Sequence, residues 1–390
     1  MERPYGLEAE LKIYSAAFAG RDVWEWPVAS QGWRRAAKAV LSAGAFGYIA
    51  GSAGQESTAH ANRRAFQGCA VRPRMLRNVE RRDLSVTLLG RKMAVPLVAA
   101  PIGVQSIIHP AADRASAAAA AQSEIPYIAS TVSSVPLEDI AKAMGEAPRW
   151  FQLYPGKNPD IVASFLARAE AAGYSAVVVT VDTTMLGWRT HDLQNVYLPF
   201  LRGEGLANFL TDPVFRAKLQ KPPEEDMGAA VQEFLSVYVN PAFTWDDLAH
   251  VKAMTRLPVL VKGITHPEDA ATALDLGLDG LIVSNHGGRQ VDGAVASLTA
   301  LLAILERVGR EPLVLLDSGV RSAADVMKAL ALGADAVGVG RPYAYALAVG
   351  GEAGVRELFS QWKAELDLQL ALSGYTAISQ LGPEAVAFNS

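Results

Sequence analysis

The sequence predicts an α/β protein folded as a (β/α)8 barrel of the TIM type, with an N-terminal helical cap and a long lid loop after the fourth strand. Three observations carry this reading. From about residue 95 onward, short and continuously apolar runs recur along the chain. Stretches long enough for a crossover helix lie between them. The series extends over roughly 250 residues, the usual length of eight strand–helix units.

Taken in order, residues 1–30 are mixed, with Trp24, Trp26 and Pro27, and are expected to form an arm or cap. Residues 31–50 have helical spacing and end at Gly47-Tyr48-Ile49-Ala50-Gly51, read as a glycine-bounded break on which Tyr48 sits. The division expected is a cap over 1–94 and a barrel over 95–390. Strands are expected at 96–100 (PLVAA), 126–130 (PYIAS), 150–153 (WFQL), 176–181 (AVVVTV), 258–262 (PVLVK), 280–284 (GLIVS), 313–317 (LVLLD) and 336–340 (AVGVG). Continuous apolarity is what parallel strands covered on both faces require. Helices are expected over 111–122, 158–172, 266–277 and 321–332. An open doubly wound sheet would usually carry GxGxxG after its first strand, and Pro101-Ile102-Gly103 is not that pattern. The connection 187–244 is too long for an ordinary βα loop, and long loops are usually functional lids or disordered. It is expected to have an ordered first part and a mobile middle.

Composition narrows the function classes. The chain has 390 residues, half of them hydrophobic, with a net charge of −4 and a pI near 5.9. With no long basic run, nucleic acid is not an expected partner. Cys69 is the single cysteine, so an intramolecular disulfide and cysteine-based zinc sites are excluded. No metal is expected. Met1-Glu2-Arg3-Pro4 leads into Glu8 and Glu10, not into an apolar signal core. Charges such as Asp335 and Arg341 interrupt the longest apolar stretches, short of the roughly 18 residues of a membrane span. A soluble cytoplasmic protein is the expectation.

The chemistry lies where the apolar runs stop. Those ends carry Gly103, Ser130, Gln152 with Tyr154, Thr180, Lys262, Ser284 with His286 and Arg289, Asp317 with Arg321, and Gly340-Arg341. In this architecture the C-terminal strand ends build the active site. In Leu281-Ile282-Val283-Ser284-Asn285-His286-Gly287-Gly288-Arg289-Gln290, His286 is a candidate base and Arg289 a candidate anion clamp. Asp317-Ser318-Gly319-Val320-Arg321 and Gly338-Val339-Gly340-Arg341 follow strands seven and eight, where this fold commonly holds phosphate. Lys262 ends an apolar run and so needs a negative partner. Arg189 and Arg289 each suit a carboxylate, although Arg189 alone also suits a surface ion pair. Tyr48 is equally a packed tyrosine or a site residue.

As a set, Ser284-Asn285-His286-Gly287-Gly288-Arg289-Gln290, Lys262-Gly263, Asp317-Ser318-Gly319-Val320-Arg321, Gly340-Arg341-Pro342, Phe151-Gln152-Leu153-Tyr154 and Thr180-Val181-Asp182-Thr183 resemble the FMN-dependent L-2-hydroxy acid oxidase and dehydrogenase family. The likeness covers about residues 30–380. The segment from Gly187-Trp188-Arg189 through Phe200-Leu201-Arg202-Gly203 to Thr211-Asp212-Pro213-Val214-Phe215 is most similar to the lactate monooxygenase branch. The resemblance implies FMN held by Pro101, Ile102, Gly103, Ser130, Gln152, Thr180, Lys262, Ser284, Asp317, Ser318, Gly319, Arg321, Gly340 and Arg341. Within that set Ser130, Gln152 and Thr180 would meet the flavin edge, Lys262 the region of N1, Asp317 the ribityl chain and Arg341 the phosphate. Arg189 and Arg289 would hold the substrate carboxylate, Tyr48 and Tyr154 would orient it, and His286 would take a proton.

The expected activity is oxidation of L-lactate, or a close short L-2-hydroxy acid, with O2, giving acetate, carbon dioxide and water. Simple oxidase release of pyruvate and hydrogen peroxide, use of another electron acceptor, and a non-catalytic flavin-binding barrel are the alternatives. Where many family members have alanine the chain has Gly103, expected to face the flavin and alter its meeting with oxygen. Where glycolate oxidases have tryptophan it has Val132, which weakens a glycolate assignment. The resemblance also implies a homo-oligomer built from tetramers.

Overall fold

A computed structural model describes residues 4–388. Eight parallel strands close into a barrel: Leu97–Ala99, Tyr127–Ser130, Arg149–Leu153, Val177–Thr180, Val259–Ile264, Gly280–Val283, Val314–Leu316 and Ala336–Val339. Each lies within or next to its expected run. Alternation along the strands explains why the runs are apolar throughout. One residue of each strand (Val98, Ile128, Trp150, Val178, Leu260, Ile282, Leu315 and Ala336) joins a buried cluster inside the barrel. Their strand neighbours, such as Leu97, Ala129, Phe151, Val179 and Val261, belong to the larger core between the barrel and its helices.

Two residues further along each strand, the same inward face changes character. It reads Ala100, Ser130, Gln152, Thr180, Lys262, Ser284, Asp317 and Gly338. Ser130 registers with Gln152, and Thr180 with Lys262, so the polar side chains share one level. Below the apolar layer, Leu88 and Met93 of the antiparallel hairpin Val86–Leu88/Arg91–Met93 pack into the barrel interior. The barrel is therefore closed at its N-terminal mouth and polar at the other.

The cap is joined to the barrel at several points. Cys69–Val71 pairs antiparallel with Val386–Phe388. Arg82 forms a bidentate ion pair with buried Asp367 at 2.8 and 2.7 Å, and Asp367 also accepts from the Gly6 amide at 2.9 Å. Asp367 lies on the C-terminal helix Arg341–Leu372, which is kinked at Gly350 and Gly351.

Two expectations need correction. Residues 31–50 do not form one helix ending at a break on Tyr48. The chain turns at Leu41, and Ser42 caps a new helix, Ala43–Ala50, by accepting from the Ala45 amide at 3.2 Å. Tyr48 thus lies within a helix.

Nor is the middle of 187–244 a mobile loop. It contains Thr190–Gln194, Ala207–Leu210, Pro213–Arg216 and Met227–Tyr238, and buries Phe200, Phe209, Phe215, Phe234 and Tyr238 as a ring cluster. Asn208, wholly buried, fastens it to the barrel. Its amide donates to the carbonyls of Ser130 and Thr131 and to Ser133 Oγ at 3.0–3.1 Å, and its oxygen accepts from the Leu137 amide at 2.8 Å. Glu204 accepts from the Ser106 hydroxyl beside it.

Candidate active site

A cavity opens at the C-terminal end of the barrel. Of the expected site residues, Tyr48, Pro101, Ile102, Gly103, Tyr154, Arg189, Lys262, His286, Arg289, Asp317, Ser318, Gly319, Arg321, Gly340 and Arg341 line it. Ser130, Gln152, Thr180 and Ser284 are buried at the barrel's polar level. Leu186, Phe200 and Tyr238 also line the cavity, and none of them was among the expected site residues.

His286 is held at both ends. Its backbone adopts φ 56°, an uncommon left-handed conformation for a residue with a Cβ, and its amide donates to Ser284 Oγ at 3.1 Å. The ring Nδ1 lies 2.7 Å from Asp182 Oδ1 and 3.2 Å from Thr183 Oγ1, while Thr183 also donates to Asp182 at 2.9 Å. A carboxylate at this distance selects the Nδ1–H tautomer and leaves Nε2 as the basic atom. Burial pushes the imidazole pKa down; the Asp182 charge opposes this, and the net shift is downward. Burial likewise works to raise the Asp182 carboxyl, but His286 and then Lys262 hold it at about 2. The pair is therefore a neutral imidazole on a charged carboxylate. Asp182 had appeared only within a quoted motif; its separation of 104 positions from His286 hides the contact.

Lys262 Nζ donates to Ser284 Oγ at 3.0 Å and lies 3.5 Å from Asp317 Oδ2. Burial works against its charge, yet Asp317 and then Asp182 raise its pKa, so it stays an ammonium. Arg289 donates to the carbonyls of Tyr48 and Gly51 and stacks over the Tyr48 ring at 4.9 Å. Its burial, and then the charge of Arg189, bring its pKa down to about 9. Its nearest carboxylate is Asp192, at 3.9 Å. Two guanidinium groups thus share a buried corner that favours an incoming anion. The Tyr154 hydroxyl is raised to about 12, chiefly by burial, and so remains a neutral donor.

At the opposite end, Arg321 is part-buried, and its pKa is brought down to about 10 by desolvation and then by Arg341. Among the described residues, neither guanidinium is ion-paired with a carboxylate. Arg341 donates to the carbonyls of Ile49, Gly287 and Gly51 at 2.8–2.9 Å and to Ser52 Oγ at 3.0 Å. Beside it, Gly319 packs so closely on Asn62 of the helix Ser57–Gln67 that an added Cβ would lie 2.8 Å from the Asn62 Cβ. Glycine amides and two unneutralised guanidiniums make this end a phosphate-like cradle.

One detail revises the reading of Gly103. A Cβ there would point at Val132, 2.5 Å from Cγ2 and 2.9 Å from the carbonyl oxygen. Close packing against the loop after the second strand favours glycine here, a constraint that the expectation of a flavin-facing glycine had not included.

Between the two ends, the buried Gln152 Nε2 and Thr180 Oγ1 have no hydrogen-bond partner among the described residues. Buried polar atoms without partners are costly and rare in a folded protein. Here they lie on adjacent strands, at the level of Ser130 and Lys262. A planar group edged with donors and acceptors, ending in a phosphate, would satisfy both.

The pattern of the FMN-dependent dehydrogenase family matches residues 37–388. The chain belongs to this family. Its barrel, orphaned amide and hydroxyl, flanking lysine and arginine-lined cradle fit FMN, the family's cofactor.

An L-lactate oxidase of Lysinibacillus sphaericus is 44% identical over 91% of the chain and 92% of its own length. An FMN-dependent alpha-hydroxy acid dehydrogenase of Penicillium citrinum is 42% identical over 88% of the chain and 86% of its own. The crystal structure of mandelate oxidase superposes with a TM-score of 0.82 at 36% identity, covering 93% of the chain and 98% of that structure. In this family member the matched region takes in both the barrel and the insertion. Among its described residues no helix is long and apolar enough to cross a membrane.

Proposed function

We propose that the chain oxidises L-lactate, or a similarly short L-2-hydroxy acid, and passes the electrons to O2. The observation that carries this is the grouping of a neutral, carboxylate-backed His286 with the guanidiniums of buried Arg189 and part-buried Arg289 in one cavity wall. Arg189 and Arg289 bind the substrate carboxylate, and Tyr48 and Tyr154 orient it. His286 Nε2 accepts one proton, and Asp182 stabilises the imidazolium that results. The bound FMN supplies the two-electron acceptor. Ser130, Gln152 and Thr180 hold its ring edge, Lys262 supplies a positive charge beside it, and Asp317 the ribityl contact. Arg321, Arg341 and the amides of Gly319 and Gly340 hold its phosphate. The relatives that are L-lactate oxidases support the substrate class.

The packed insertion supports retention of the 2-oxo acid. Phe200 and Tyr238 wall the cavity, and Asn208 bolts their segment to the barrel. Peroxide formed in a closed pocket then decarboxylates the oxo acid, and the balance is lactate plus O2 to acetate, CO2 and water. Aerobic turnover of carbon-labelled L-lactate tests this, with pyruvate, acetate and peroxide quantified together and catalase as a control. Catalase-insensitive acetate is the expected result. Equal amounts of pyruvate and peroxide would replace this outcome with that of an oxidase, and absence of flavin bleaching by lactate would remove the substrate assignment.

A further inference from the structure

The base, its partner and both arginines come from two loops, 182–189 after the fourth strand and 284–290 after the sixth. Gln290 joins them. Its Nε2 donates to the carbonyl oxygens of Asp182 at 3.0 Å and Met185 at 2.8 Å. Its Oε1 accepts from Arg189 Nη2 at 2.8 Å and from the Gly187 amide at 3.4 Å. A carboxamide has two donor hydrogens and two acceptor lone pairs, and here all four are used.

The loops also touch directly. Arg189 Nε donates to the Arg289 carbonyl at 3.4 Å, and a Cβ on Gly187 would lie 2.6 Å from the carbonyl oxygens of Arg289 and Gln290. Arg189 is 8% exposed, and among the described residues no carboxylate pairs with it. Its side chain is therefore oriented by a neutral oxygen. This matters chemically, because a carboxylate in that place would fix the guanidinium equally well but cancel the charge that an incoming anion needs.

We propose that Gln290 is a positioning residue. It aims the Arg189 guanidinium at the substrate carboxylate without neutralising it, and fixes the backbone of Asp182, whose side chain supports His286. The inference rests on the reading that Arg189 binds the carboxylate.

The test is anaerobic titration of the FMN-loaded enzyme with pyruvate, followed by flavin absorbance, for wild type, Gln290→Leu, Arg189→Met and the double variant. Loss of one hydrogen bond to a charged group corresponds to a weakening of roughly 10–100-fold, the result expected for Gln290→Leu. If Gln290 acts through Arg189, the double variant binds no more than about twofold more weakly than Arg189→Met alone. Unchanged affinity in Gln290→Leu, or a double-variant loss equal to the product of the single losses, overturns the proposal. Unchanged affinity in Arg189→Met overturns the carboxylate reading itself and the inference with it.

Should Gln290→Leu fail to hold FMN, Gln290→Glu keeps an oxygen opposite Arg189 but adds charge. Binding at least about tenfold weaker is expected; wild-type affinity in that variant also overturns the proposal.

Discussion

Replacing Asp182 by asparagine tests the proposed base most directly. The Asp182 carboxyl sits near pKa 2 against an ordinary 3.8, so the ionised form is stabilised by somewhat under two pKa units. At about 1.4 kcal/mol per unit this is on the order of 2 kcal/mol. His286, 2.7 Å away, is the larger charge partner and Lys262 the smaller. The imidazolium therefore gains roughly 1–2 kcal/mol from the pair, or about 5–30-fold in rate.

The Asp182→Asn carboxamide would add a second penalty. Its NH2 group can donate to Nδ1, moving the ring proton to Nε2, which then cannot accept the substrate's proton. Together the effects predict a loss of ~10²–10⁴ in the limiting rate of flavin reduction. The assay is anaerobic stopped-flow mixing of the FMN-loaded variant with L-lactate across pH.

The pH profile carries a sign. Burial lowers the His286 pKa below 6.5 and Asp182 pushes it upward. The base is lost as pH falls through that lowered pKa, so the wild-type acid limb lies below 6.5. Removing the Asp182 charge moves the limb to still lower pH. A loss under about threefold, with the limb unmoved and FMN retained, would refute the assignment of Asp182 and Nε2.

Three other substitutions test separate parts. Lys262→Met removes an ammonium expected to sit beside the flavin, and should lower the FMN midpoint potential by roughly 30–90 mV in a dye-coupled redox titration. Gly103→Ala forces a methyl onto Val132 and should cost about 1–3 kcal/mol in denaturant unfolding, with only partial relief from Val132→Ala because the Val132 carbonyl oxygen remains 2.9 Å away. Asn208→Ala leaves the Thr131 carbonyl without its donor and the Ser130 carbonyl with only the Ser133 amide, should cost roughly 2–4 kcal/mol in unfolding, and should raise the share of free pyruvate and peroxide among the products.

Much of this architecture could be read from the chain alone. Strands such as Val177–Thr180 and Val259–Ile264 are covered on both faces, so each is an apolar run interrupted by a polar residue, Thr180 at its end or Lys262 two residues before its end. That signal is local and survives without knowledge of neighbours. The insertion was harder to read, because helices of four or five residues such as Ala207–Leu210 and Thr190–Gln194 are too short to show periodicity. They are held by tertiary contacts, as Asn208 and the ring cluster around Phe234 show.

The sequence by itself determined the barrel, the polar strand ends and the residue types that suit FMN and a carboxylate, because these follow from burial and alternation along one strand. Tertiary structure alone decided the pairings: Asp182 with His286, Gln290 with Arg189, Gly103 against Val132. Each joins loops from different strands, and barrel closure, not chain proximity, sets those distances.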